Sequence, residues 1–258
     1  YTLSLHDALP ISFAARNLGF DVELVTKFGT DFVFTEQLQK NKIKFENTPS
    51  QKPTTRFKLE INESLRTLWL QNICDEIEYN KINADGILLS PVFNEISEST
   101  LDKIKTDSEM VFLDPQGFLR RVGQDKKIFF ERTNLDLSKI TVLKSDPNEV
   151  SNLTGLQGLE GARVLQKKVK HVLYTNKRDV SLLYDGRQYS INLPHVDIYD
   201  TSGVGDIFTA AFCCTLLKEK DVLWALSFAG GAAQAALESK RVGLEKVPSR
   251  GATEANAA

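Results

Sequence analysis

The residues Asp200-Thr201-Ser202-Gly203-Val204-Gly205-Asp206 place two carboxylates, two hydroxyls and two glycines in seven consecutive positions. A strand-like run, Ile198-Tyr199, precedes them, and a long apolar stretch begins at Ile207. The glycines permit a tight turn and close backbone approach. A helix starting there would point unpaired N–H groups outward, with about half a positive charge at its end. That combination suits phosphate. A carboxylate at Asp206 would stay ionised in this field and could accept a proton from a substrate hydroxyl. The amides of Gly203, Val204 and Gly205 could stabilise charge on a transferring phosphoryl group. The spacing serves equally well a plain glycine turn in which Asp206 caps a helix.

Such a turn needs a frame. The chain has 258 residues, enough for one large domain or one domain with a small appendage. Hydrophobic residues make up 41% and charged residues 26%, ordinary for a globular protein with a normal core. The net charge of -2 argues against a general binder of nucleic acid or of acidic membranes. No apolar run approaches the roughly 20 residues that span a bilayer. Cys74, Cys213 and Cys214 lack disulfide-framework spacing, so they read as small core residues of a cytoplasmic protein. Neither C-x-x-C nor H-E-x-x-H occurs, and no structural zinc is expected.

Short apolar runs alternate with helical stretches. Residues 13–18 read as the end of a helix stopped by Gly19, and residues 22–25 as a strand. Asp31 is a candidate N-cap for a helix to residue 41. Residues 54–61 and 65–70 read as a hairpin, a small β lid within residues 53–70. Further strands are expected at 86–90, 110–113, 140–143 and 171–174, and a hairpin at 181–191. Asp146 and Pro147 look like a helix cap and first helical residue. Helices at 204–217 and 222–238 close the pattern, before an Ala-rich tail. Residues 120–136 show no clear period. The alternation implies a three-layer α/β/α body around a mostly parallel sheet.

The 200–206 segment resembles the D-T-x-G-A-G-D signature of the ribokinase-like carbohydrate and nucleoside kinases, the phosphofructokinase B type, with Val204 in place of Ala. Ala14-Ala15-Arg16-Asn17-Leu18-Gly19-Phe20, Gly29-Thr30-Asp31, Thr54-Thr55-Arg56-Phe57, Asp146-Pro147-Asn148-Glu149 and Val247-Pro248 resemble other stretches of that family. The resemblance implies a kinase domain over residues 13–250 that moves the γ-phosphoryl group of ATP to a hydroxyl of a small sugar, polyol or nucleoside. It implies Asp206 as catalytic base and Gly203, Val204 and Gly205 as anion hole. Glu149 would order hydrated Mg²⁺; Asp200 and the stretch near Gly243 would hold a monovalent cation such as K⁺. Thr175, Lys177 and Ala229 would lie beside the nucleotide. The lid would serve as a homodimer contact.

Several positions depart from the family pattern. The early G-G-x-x-N substrate loop is missing, and residues 1–12 read as a segment foreign to the domain. Asp146 stands where Asn is usual. The family's T-L-G-x-x-G reads Thr175-Asn176-Lys177-Arg178-Asp179-Val180, without its glycines. Asp114-Pro115-Gln116-Gly117-Phe118-Leu119-Arg120 resembles a variant of archaeal, inositol- and nucleoside-kinase-like members. Following a strand's carboxyl end, it makes Gln116 and Arg120 candidate substrate contacts; a turn with a surface Arg is the alternative. The altered 175–180 loop leaves open a catalytically silent binding protein. A dinucleotide-binding oxidoreductase would need G-x-G-x-x-G after an early strand, and none is there.

Overall fold

The computed structural model describes residues 2–3, 8–46, 49–62, 65–193 and 200–257. The expected strand residues 198–199, the lid turn at residues 63–64 and residues 4–7 lie outside the described residues.

In chain order the first elements are β1 (Thr2–Leu3), α1 (Ala8–Asn17), β2 (Glu23–Val25), α2 (Thr35–Lys40), β3 (Lys44–Glu46), β4 (Arg56–Asn62) and β5 (Leu65–Asn72). Next come β6 (Ile87–Leu89), α3 (Glu98–Asp107), β7 (Val111–Leu113), α4 (Gln116–Leu119), β8 (Arg120–Val122), β9 (Ile128–Phe130), β10 (Val142–Ser145), α5 (Pro147–Thr154) and α6 (Gly158–Gln166). The last are β11 (His171–Asn176), β12 (Asp179–Tyr184), β13 (Arg187–Asn192), α7 (Val204–Glu219), α8 (Val222–Glu238), a 3-10 turn (Gly243–Lys246) and α9 (Arg250–Asn256).

The central sheet runs β13-β12-β11-β10-β7-β6. β6, β7, β10 and β11 are parallel, and β12 and β13 add an antiparallel edge. Strands covered on both faces carry unbroken apolar runs, and Val111, Phe112 and Leu113 are all buried. Their side chains alternate between two cores. Phe112, Val142, Leu173 and Leu182 pack with α1, α7 and α8. Val111, Leu113, Leu143, Val172 and Leu183 pack with α3, α5 and α6. This is the expected α/β/α sandwich.

Helix α7 is buried continuously from Ile207 to Leu216, because the sheet, α1 and α8 surround it. Cys213 and Cys214 are core residues there, and burial pushes both thiols up, Cys214 to about 12. Gly231 lets α9 lie close to α8: a Cβ there would sit 2.6 Å from the Thr253 carbonyl oxygen.

The lid is the β1-β4-β5 sheet. Arg-Phe-Lys-Leu-Glu alternates along β4 and turns Phe57 into a small core with Val92 and Phe93. The aperiodic stretch after residue 120 contains the β8–β9 hairpin, which joins the lid through a Trp69–Lys127 bridge.

Helix α1 begins at Ala8 and ends just before Gly19, as the sequence indicates. Three local expectations change. Helix α2 starts at Thr35, and Asp31 does not cap it; its carboxylate accepts from the Thr54 amide and hydroxyl and from Arg56. The Asp114–Gly117 turn enters the short helix α4. The chain end folds as α9, with Thr253 fully buried, rather than as a plain tail.

Candidate active site

The carboxyl ends of β7, β10 and β11 lie side by side, the edge where open α/β sheets bind ligands. The register pairs Leu143 with Leu113, so the next residues, Lys144 and Asp114, meet. Lys144 Nζ donates to Asp114 Oδ2 at 2.7 Å, with side chains 14% and 7% exposed. Asp114 Oδ1 also accepts from the Gln116 amide at 3.2 Å.

Helix α5 begins just after β10. Asp146 caps it, with Pro147 next, as the sequence indicates. Asp146 Oδ1 accepts from the Glu149 amide at 2.9 Å, and Glu149 Oε2 accepts from the Asp146 amide at 2.8 Å. This reciprocal cap draws Glu149 inward to 1% exposure. Burial, with Asp114 and Asp146 nearby, pushes its carboxyl up to about 8, against the opposing pull of Lys144. Lys144 is held above the usual lysine range: burial acts against its charge, but Asp114, Glu149 and Asp206 outweigh it.

The Asp206 charge, in the turn that opens α7, reaches Lys144 of this cluster. Gly203 adopts φ 73° and ψ 3°, the left-handed region, immediately before helical Val204. That sequence of conformations turns successive amides toward one point, a nest for an anion. The Val204 amide keeps a long 3.4 Å bond to the Thr201 carbonyl, and the Ile207 amide closes the first helical bond to Gly203 at 3.0 Å. Helix geometry leaves the intervening Gly205 amide without an intrahelical acceptor. A side chain at Gly205 would meet nothing within 4 Å, so the nest is open on that side. A Cβ at Gly203 would lie 3.7 Å from Asp206 Oδ2 and 3.1 Å from Pro10 Cγ. Asp206 and the nest therefore share one turn, with the α1 start beside it.

Asp200 anchors the turn from behind. Its Oδ1 accepts from the Ser202 amide at 2.8 Å. Its Oδ2 accepts from Lys246 Nζ at 2.8 Å and from the Gly243 amide at 3.3 Å. Burial raises its carboxyl, but the Lys246 and Ser202 hydrogen bonds win and hold it at about 2.

The structure thus places Gly203, Val204, Gly205 and Asp206 in one turn, and puts Lys144 within electrostatic reach of both Asp206 and Glu149. Thr175 sits at the carboxyl end of β11, on the same sheet edge. Lys177 is exposed in the two-residue turn to β12, at φ 55°. Ala229 is fully buried in the α7–α8 core, so it shapes a neighbouring site only through its helix. Arg120 lies at the lid junction, where it donates to the Val92 carbonyl at 3.0 Å and stacks its guanidinium over Phe57. It is a partly buried bridge between body and lid, not a plain surface Arg.

Lys144 and Asp114 escaped the sequence reading as a pair. The signal was a charged residue within one short buried strand and a second just past the end of another.

Magnesium fits a lightly held role here. Among the described residues no three acidic, His or Cys side chains cluster as a metal cage. Mg²⁺ commonly uses one or two carboxylates with water and substrate phosphates, and Glu149 is a buried acid that a nearby dication would ionise.

The α/β/α sandwich thus carries a glycine nest beside the Asp206 carboxylate, an arrangement suited to handling phosphate. Residues 7–250 match the pfkB family of carbohydrate kinases, and the chain belongs to that family. It is therefore a carbohydrate kinase by family. A pyrophosphate-dependent kinase in the ribokinase family superposes with TM-score 0.82 at 20% identity, over 93% of this chain and 90% of its own. Arabidopsis thaliana ribokinase, solved with ribose and ATP, gives TM-score 0.73 at 20% identity, over 97% and 86%. Thermotoga maritima ribokinase gives TM-score 0.76 at 20% identity, over 96% and 86%. These likenesses establish the ribokinase-like fold. No curated protein matches the chain. No helix among the described residues is long and apolar enough to cross a membrane.

Proposed function

We propose that this kinase transfers the γ-phosphoryl group of ATP to a hydroxyl of a small sugar, polyol or nucleoside, with Asp206 as base. The observation that carries the reading is the shared turn: a left-handed Gly203 nest, the α7 N-terminus and the Asp206 carboxylate at the ligand edge of the sheet. The acceptor hydroxyl loses its proton to Asp206 as its oxygen bonds phosphorus and the donor's P–O bond breaks. The nest amides, chiefly that of Gly205, stabilise the phosphoryl oxygens, and the Lys144 charge behind them adds to the positive field. Magnesium, when bound, would neutralise donor phosphate charge, and Glu149 is the residue that would hold its water shell. Gln116 and Arg120, near the lid, would face the acceptor, while Thr175 and Lys177 would border the donor. Buried free thiols fit a reducing cytoplasm, and the lid would supply the contact of a homodimer.

The β11–β12 turn favours a second donor. Lys177 and Arg178 make a two-residue connection with no glycine loop for a nucleotide. A compact basic turn suits pyrophosphate as well as ATP. Phosphoryl transfer should be followed with ATP and with pyrophosphate, each against sugars, inositols and nucleosides, with Mg²⁺ present. Turnover with one donor selects it. Asp206→Asn is expected to lower that turnover about 10²-fold or more; near-normal turnover removes Asp206 as base. Binding without turnover for any pair would favour a silent binding protein.

A further inference from the structure

The anion turn rests on a buried cation that belongs to the chain itself. Lys246, from the 3-10 turn, brings a side chain only 1% exposed to Asp200. Its Nζ donates to the Asp200 carbonyl oxygen at 3.0 Å and to Asp200 Oδ2 at 2.8 Å. The Gly243 amide reaches the same Oδ2, and the Ser202 amide fixes Oδ1. Main-chain and side-chain oxygens of one residue thus converge on one ammonium, three residues before Gly203.

The family resemblance places a monovalent cation at Asp200 and the stretch near Gly243. A potassium ion does not fit there, because its oxygens are already taken and a second buried positive charge would be repelled. An ammonium group carries the same charge as potassium and satisfies the same carbonyl and carboxylate oxygens. We propose that the Lys246 ammonium is a covalently tethered replacement for a monovalent cation, so the Asp200–Gly203 turn is ordered without one. Tethering makes the cation permanent instead of concentration-dependent. Lys246 is a positioning residue: it acts on the nest through Asp200. Its link to catalysis rests on the function proposed above, while its link to cation binding does not.

Thermal melts of the full chain test it at fixed ionic strength in choline, sodium, potassium and ammonium chloride. Wild type should give one Tm in sodium and potassium. Lys246→Ala empties the space, so its Tm should fall in choline and sodium. Potassium or ammonium should restore it saturably, by about 5 °C or more at a hundredfold excess over the dissociation constant. Lys246→Met fills the space without charge and should lose stability with no potassium response. A saturable potassium-specific rise in wild type overturns the proposal. So does a Lys246→Ala protein whose Tm is equal in all four salts, or one that folds in none of them. These melts decide the matter whether or not the protein proves to be a kinase. Where turnover is measurable, potassium should raise it at least about tenfold over sodium in Lys246→Ala and leave wild type unchanged, the scale of a modest coupling between sites.

Discussion

Replacing Lys144 by Met tests whether the floor of the site is an electrostatic unit. Lys144 and Asp114 form a 2.7 Å ion pair with side chains 14% and 7% exposed. Met keeps an unbranched apolar stem but no charge, and so leaves the Asp114 carboxylate buried without its cation. Removing one partner of a buried pair costs about 3–5 kcal/mol. For a chain of this size each kcal/mol moves Tm by about 2–4 °C, so a fall of roughly 6–20 °C is expected. Urea titration should show a lower midpoint with unchanged slope, the mark of lost stability without a changed denatured state. The double variant Lys144→Met/Asp114→Asn removes both charges while Asn can still accept from the Gln116 amide. It should recover at least half of the single variant's loss, because the coupling term of contacting residues is large. A single-variant loss under about 1 kcal/mol, the scale of a solvated pair, would refute the reasoning. So would a double variant whose losses simply add.

Three other outcomes follow from the same geometry. Gly203→Ala meets a left-handed backbone and Pro10 Cγ at 3.1 Å; it should cost about 1–2 kcal/mol in urea unfolding and lower kcat by disturbing the nest. Glu149→Gln keeps an acceptor for the Asp146 amide but cannot ionise. Glu149 binds its proton more tightly folded than unfolded, so wild-type stability should fall relative to the variant as pH rises from 4.5 to about 8, and the variant should need more Mg²⁺ for half-maximal activity. Asp200 is depressed from 3.8 to about 2. Its stabilisation is complete above 3.8 and lost as pH falls through about 2, and acid melts of Asp200→Asn should lack that slope.

Periodicity revealed most of the frame, because a buried parallel strand must be apolar along its whole length and a lid strand must alternate. Val111–Leu113 and Arg56–Asn62 obey those two rules visibly. The glycine turn was also visible, since the left-handed backbone at residue 203 is cheap only for glycine. The β8–β9 hairpin was not, because Arg120–Val122 and Ile128–Phe130 are short, half-exposed strands held by each other and the lid. Helix α1 tolerates Pro10 because it lies in the first turn, where no amide donor is needed.

The two lysines of the site were the hardest to read, for a common reason. Lys246 is buried and Lys144 largely so, and isolated burial of a lysine is costly. Each is tolerable only because an aspartate distant in sequence arrives to meet it: Asp114 from the neighbouring strand, Asp200 from the turn before α7. A residue-by-residue scan sees two ordinary charges. Their meaning depends on strand register in one case and on a 46-residue chain closure in the other. Lys246 holds the aspartate that opens the glycine turn, and Lys144 feels the charge of the aspartate that closes it. The electrostatic setting of the turn therefore depends on tertiary pairing as well as on the α7 dipole, and the turn's sequence records only the second of these.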